Sequence, residues 1–149
     1  MHDELPRRKP LPHVPPDGVP IEGQVFFVTV CARPRGVNQL ATPRAWETIL
    51  ETILKYQELR YWHVRRVLAM PDHLHALLSF PAEAFMKRRV ASFKAWTAKA
   101  VGIRWQRDFF DHRIRNLDAL EAKSAYIAHN PLRAGLCENP GDWPYQWKR

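Results

Sequence analysis

The stretch Tyr61–Phe80, YWHVRRVLAMPDHLHALLSF, decides the fold. Its first half, Tyr61–Met70, alternates in part and reads as a strand. Pro71-Asp72 closes it with a turn, and an apolar run through Phe80 follows at once, so the segment reads as a β-hairpin. Within the second strand His73 and His75 flank Leu74. Side chains alternate along a strand, so both imidazoles project from one face while Leu74 points to the other. Two converging imidazoles form ligand geometry for a divalent metal. Taken alone, such a pair is more often a polar stripe or two satisfied core histidines, and it needs partners.

Upstream of the hairpin, Gln24–Cys31 (QVFFVTVC) has the β-branched and aromatic content of a buried strand. A loop containing Pro34 and Gly36 leads to Thr42, a good N-cap, with Pro43 at the first helical position. Trp46, Ile49, Leu50, Ile53 and Leu54 then recur at helical spacing, and the helix ends near Leu59. Downstream, Ala84–Val101 is amphipathic with a basic outer side, stopped by Gly102. Phe109–Arg115 reads as a half-buried strand, with Phe110, His112 and Ile114 on one face and Asp111, Arg113 and Arg115 on the other. Asn116 then caps a last helix over Leu117–Asn130, which is expected to stop at Pro131.

The order β-α-β-β-α-β-α predicts an α+β fold of the ferredoxin-like split βαβ type. An antiparallel sheet carries helices on one face and leaves the other for function, and the last helix can cross that open face. Trp143, Pro144, Tyr145 and Trp147 are expected to pack back as a structural lid. Residues 1–22 hold six of the thirteen prolines together with Arg7, Arg8 and Lys9, and read as an extended basic arm. Residues 23–149 then form one domain.

Charge narrows the partners. The chain has 23 Lys and Arg against 15 Asp and Glu, a net charge of +8. Nine of those cations and only two acids, Asp108 and Asp111, fall between Met86 and Arg115, so one stretch carries nearly all of the excess. It is either a solvated face or a contact for a polyanion such as nucleic acid. Cys31 and Cys137 lie far apart with no C-x-x-C, which points away from a disulfide framework or a zinc ribbon. No signal-like apolar stretch follows the basic N-terminus and no run approaches a membrane span, so a soluble, cytoplasmic protein with no membrane partner is expected.

The last helix offers the partners that the histidine pair lacks. Tyr126 and Asn130 stand four apart, on one helix face. In an arbitrary helix such a pair is more often a core aromatic and a terminator before proline. The surrounding blocks change that weighting. Tyr126–Leu136 (YIAHNPLRAGL), Trp105–Arg115 (WQRDFFDHRIR) and Met70–His75 (MPDHLH) together closely resemble the REP-associated tyrosine transposases. These belong to the HUH (histidine, hydrophobic, histidine) single-strand transposases of bacterial insertion sequences.

The resemblance covers roughly residues 22–147 and implies a ferredoxin-like catalytic domain. Such a domain cleaves and rejoins single-stranded DNA next to hairpins, through a divalent metal and a covalent 5′-phosphotyrosine. It implies Tyr126 as nucleophile, His73 and His75 as metal ligands, and Asn130 as the third ligand, with His129, one position round the helix, as second choice. A monomer is favoured, although related transposases include dimers that exchange the tyrosine helix.

A phosphotyrosine bond keeps the energy of the broken phosphodiester, so one tyrosine serves cleavage and rejoining. Two neutral imidazoles and an amide oxygen leave an ion fully charged, which suits Mg²⁺ or Mn²⁺ on an open octahedral site. Imidazole would also accept Zn²⁺, so the ion's identity rests on the resemblance. Lys87, Arg88, Arg89 and Lys94, with Arg113 and Arg115, are the expected DNA-binding cations, and Trp96, Trp105, Phe109 and Phe110 are candidates for base stacking. Two other readings stand beside this one. A non-catalytic single-strand nucleic-acid binding module would show an RNP-like motif, which is absent. A hydrolase without a covalent step would want a carboxylate base or a third histidine near the metal, for which only Asp72 is close.

Overall fold

The computed structural model describes residues 24–82 and 85–149, so the proposed arm at residues 1–22 and the expected helix start at Ala84 lie outside the described residues. The elements are β1 (Val25–Cys31), α1 (Pro43–Glu58), β2 (His63–Ala69), β3 (His73–Ser79), α2 (Met86–Val101), β4 (Phe110–Arg113), α3 (Leu117–Arg133) and β5 (Gln146–Lys148). Local chemistry sets the helix ends. The Thr42 hydroxyl accepts from the Ala45 amide at 3.2 Å ahead of α1, and Asn116 Oδ1 accepts from the Ala119 amide at 2.8 Å ahead of α3. Gly102, at φ 74°, closes α2 in the left-handed conformation that glycine adopts without strain.

The sheet order is β4-β1-β3-β2-β5, and every pairing is antiparallel. Its first four strands reproduce the expected split βαβ order. The C-terminal segment differs from the expected lid: residues 146–148 add a fifth strand along β2, and the buried Trp143 donates its indole N–H to the Ala69 carbonyl at 2.9 Å. Three residues reading Gln-Trp-Lys carry no alternation from which a strand could be read.

Alternation sorts the strands into two faces. Phe26, Val28 and Val30 of β1 and Leu74, Ala76 and Leu78 of β3 pack with Ile49 and Ile53 of α1 and Val90 and Phe93 of α2. Val25 of β1, Leu68 of β2 and Leu77 of β3 pack instead with Leu120 and Ile127 of α3 and with Trp143. A register shift between Val64 and Arg66 changes the parity of β2. Val64, Val67 and Ala69 therefore join the first core, while Arg66 turns toward α3.

One expected boundary is corrected. The last helix passes through Pro131 and ends at Arg133. Proline has no N–H to offer the Ile127 carbonyl, and such a defect normally ends or kinks a helix. Here the turn is held by other bonds. The Arg133 guanidinium donates to the Tyr126 carbonyl at 2.6 Å, and the amides of Ala134 and Leu136 reach the carbonyls of Asn130 and Pro131 at 3.1 and 2.9 Å. Gly135, at φ 73°, then turns the chain away.

Candidate active site

His73 and His75 lie on the sheet face that α3 crosses, because Leu74 and Ala76 are committed to the opposite core. Each ring is fixed through Nδ1. The His73 Nδ1 bonds the Asp72 carboxylate at 2.8 Å, and the His75 Nδ1 bonds the Thr29 hydroxyl at 2.9 Å across the β1–β3 pair. Asp72 is itself held by the Arg35 guanidinium at 2.9 Å and by the Gly36 amide at 2.8 Å. Burial of Asp72 opposes ionisation, but the hydrogen bonds from Arg35, Gly36 and His73 outweigh it and hold the carboxyl well below its usual range.

Engagement of both Nδ1 atoms leaves Nε2 of each ring as the nitrogen able to coordinate a metal, the support found behind histidine ligands generally. The two rings sit edge to face with centroids 4.7 Å apart. Burial, reinforced by His73, Lys123 and Arg133, depresses the His75 pKa to about 3, so its lone pair is present at neutral pH.

Tyr126 reaches the same face. Its ring meets Phe27 edge-on with centroids 6.5 Å apart, and Phe27 stacks on His75 at 5.0 Å, so phenol, phenyl and imidazole form a continuous aromatic row. Tyr126 remains 48% exposed, open to a substrate. Two cations flank it: the Arg133 guanidinium lies 4.2 Å from the ring centroid and the Lys123 ammonium 5.1 Å. Asn130 is half-buried one turn on, and its Oδ1 accepts from Arg133 at 3.3 Å, which leaves that oxygen a second lone pair. His129 is exposed, with its Nδ1 bonded to the Ala125 carbonyl of its own helix at 2.8 Å.

Arg66 positions this helix. It is 9% exposed, and its Nε donates to Ser124 Oγ at 2.8 Å, tying β2 to α3 half a turn before Tyr126. Burial lowers its pKa.

Among the described residues no group of three or more His, Cys, Asp or Glu converges as a metal site. The donor set here is two imidazoles, with an amide oxygen on the helix above. That set fits an open-coordinated divalent ion better than a closed structural zinc centre. Asp72, the base candidate of the hydrolase reading, is occupied in orienting His73.

The basic residues divide. Lys87, Arg88, Arg89 and Lys94 ride on α2, on the sheet face away from the histidines. Lys87 and Arg88 are exposed, Arg89 lies 3.6 Å over the Tyr61 ring, and Lys94 donates to the Arg107 carbonyl at 2.7 Å. Arg113 stands 6.0 Å over Phe26, on that same face, and Arg115 is exposed just beyond β4. The structure thus brings His73, His75 and Tyr126 to one face and does not bring the α2 cations there.

Sequence reasoning missed Thr29, Phe27, Arg35 and Arg66, which need strand register to be seen. Lys123 and Arg133, three before and seven after Tyr126, were visible as helix neighbours.

No protein-family model matches the chain. It is 27% identical over 128 residues to a REP-associated tyrosine transposase of Escherichia coli (strain K12), covering 84% of this chain and 76% of that protein. A Haemophilus influenzae protein provisionally given the same family name is 30% identical over 97 residues, 53% of this chain and 54% of its own length. Among solved structures, a REP-associated tyrosine transposase bound to a REP hairpin superposes with TM-score 0.74 at 28% identity, covering 85% of this chain and 77% of that one. A Deinococcus radiodurans crystal structure, at TM-score 0.51 and 13% identity over 71% of this chain and 88% of its own, supports the fold alone. In sequence and in fold the chain is a relative of the REP-associated tyrosine transposases.

Proposed function

We propose that this relative of the REP-associated tyrosine transposases is itself a tyrosine transposase, an enzyme that cleaves and rejoins single-stranded DNA beside a hairpin through Tyr126. The observation that carries the reading is the aromatic row Tyr126–Phe27–His75, which sets an exposed phenol on the same face as two oriented imidazoles. The Tyr126 phenolic oxygen attacks the scissile phosphorus. The bond from phosphorus to the 3′-oxygen of the preceding nucleotide breaks, the phenolic proton passes to solvent at this open position, and solvent returns a proton to the departing oxygen, leaving a 3′-hydroxyl and a 5′-phosphotyrosine. Rejoining reverses the exchange: a 3′-hydroxyl attacks the phosphotyrosine and the phenol regains a proton.

Lys123 and Arg133 draw the phosphodiester toward the phenol, and Arg133 also fixes the helical turn that carries it. His73 and His75 would hold a divalent cation through Nε2, with Asn130 as the third protein ligand. Asp72 and Thr29 keep the two rings aimed. When bound, Mg²⁺ or Mn²⁺ supplies polarisation of the phosphate and stabilisation of its developing charge. The partner is hairpin-bearing single-stranded DNA.

The test is formation of an SDS-resistant protein–DNA adduct on labelled hairpin DNA with Mg²⁺ or Mn²⁺. Wild type is expected to form it, Tyr126→Phe to lose it by at least about a thousandfold, and chelation to abolish it. Strand products without an adduct would favour the hydrolase, and binding alone the non-catalytic module.

A further inference from the structure

Of the four aromatics expected to stack bases, Trp96, Trp105, Phe109 and Phe110, three are not available on the catalytic face. Trp105 is buried, Phe109 is packed against the α1/α2 core, and Trp96 is exposed on α2, across the sheet. Phe110 differs from all three. It is 68% exposed, the most open large hydrophobic side chain among the described residues, and it sits at the first position of the edge strand β4.

Register gives its direction. Phe110 pairs with Thr29, and Thr29 pairs with His75, so the three form one row across β4, β1 and β3. Directly opposed residues of an antiparallel pair point to the same side. The Thr29 hydroxyl bonds His75, so the Phe110 ring stands on the histidine face, two strand spacings or roughly 10 Å from His75.

Helix α3 does not cover it. The buried residues grouped with Leu120 and Ile127 of α3 are Val25, Ala41, Leu68, Met70, Leu77, Ile114 and Trp143, and neither Phe110 nor Thr29 is among them. The quadrant holding Phe110 and Thr29 stays open beside the histidine pair. The segment that leads into Phe110 runs along the end of β1, where Ala32 bridges Trp105 and the Gln106 amide reaches the Cys31 carbonyl at 2.8 Å. It carries exposed Arg104 and Arg107. Asp108 and Asp111 flank Phe110 in sequence and are exposed as well, so its use is as an uncharged surface. A flat apolar ring on a rigid strand, two strand spacings from the histidine row, matches a strand whose monomers carry planar bases.

We propose that Phe110 is a stacking platform for an unpaired base of the DNA strand, next to the nucleotide whose phosphate is attacked. The inference rests on the single-strand DNA reading above and adds to it a base-binding position. Stacking on an aromatic ring is sequence-tolerant, because every base has a π-face. Phe110 therefore grips the single-stranded flank and sets its distance from Tyr126, leaving sequence choice to other contacts.

The test compares two 12-residue probes of equal charge, oligothymidylate and an oligomer of abasic phosphates, by fluorescence anisotropy on the full chain. Phe110→Ala should weaken the oligothymidylate complex about tenfold and leave the abasic complex unchanged, and Phe110→Trp should restore binding. Equal affinity of Phe110→Ala and wild type for oligothymidylate would overturn the proposal. So would an equal loss on both probes, or a wild-type dimer that dissociates on Phe110→Ala. If the hairpin adduct forms but Phe110→Ala has no effect, this inference alone fails. If wild type neither forms the adduct nor binds oligothymidylate, the transposase reading fails and carries the stacking site with it.

Discussion

The two faces of the sheet are built from the same strands and put to opposite uses. Under α1 and α2 the inward residues are apolar apart from Thr52 and Thr97, whose buried hydroxyls donate to carbonyls of their own helices, and Phe93, Trp62 and Phe80 interlock as edge-to-face aromatics. On the α3 side the apolar cluster is smaller, and the same face also holds His73, His75, Thr29 and the exposed Phe110. A fully covered face supplies stability, which allows its reverse side to keep water-accessible, chemically active groups in fixed positions. One residue's shift in strand parity would exchange the two roles, which is why the irregularity between Val64 and Arg66 matters: it keeps Val67 inside while giving Arg66 to α3.

The largest break in this comparison comes from the closed face. Phe93→Ala should remove about 3–5 kcal/mol of stability, measured by denaturant unfolding, while the adduct formed per folded molecule stays at the wild-type level. A loss of catalysis beyond the loss of folded protein would show that the two faces are not separable.

Acid acts on the other side. The pKa of His75 is depressed in the folded state, so the unfolded chain takes up its proton first, near pH 6.5. Its contribution is complete above that pH and declines as pH falls toward about 3. Metal-free protein should lose up to about 1.4 kcal/mol per pH unit between pH 6 and 4, and His75→Gln should flatten that slope. Asp72, held below the carboxylate range, adds its own loss only at lower pH.

A smaller effect is expected where α3 is tied down. Ser124→Ala removes the acceptor of the buried Arg66 Nε and should cost about 1–3 kcal/mol, with a fall in strand cleavage greater than the fall in folded fraction. Smallest of all, Phe110→Ala should change stability by less than about 0.5 kcal/mol, since its ring is in water already. A cost like that of Phe93→Ala would mean that Phe110 is a core residue.

Much of this was legible in the residues. The Pro71-Asp72 turn, the Thr42 and Asn116 caps and the Gly102 stop are local signals, and they fixed the element order from which the split βαβ fold follows. The face shared by His73 and His75 follows from a period of two, and the face shared by Tyr126 and Asn130 from a period of 3.6. Two features escaped because they depend on distant contacts: β5 exists only because β2 offers it an edge, and the α2 cations face away because side is assigned by packing. A third is local: proline signals a helix end, and the Arg133 side chain overrides that signal within its own helix. The supporting bonds of Thr29 and Arg66 escaped for the same reason as the first two.

In the proposed enzyme the tyrosine helix and the histidine pair meet on one side of the sheet around a divalent ion. Paramagnetic broadening by Mn²⁺ in NMR spectra of the full chain measures that directly. Added Mn²⁺ should broaden the Tyr126 ring and Asn130 amide signals more strongly than those of Val90 and Phe93, and His73→Ala with His75→Ala should abolish the difference. Broadening that spares Tyr126, or a difference that survives loss of both histidines, would contradict it.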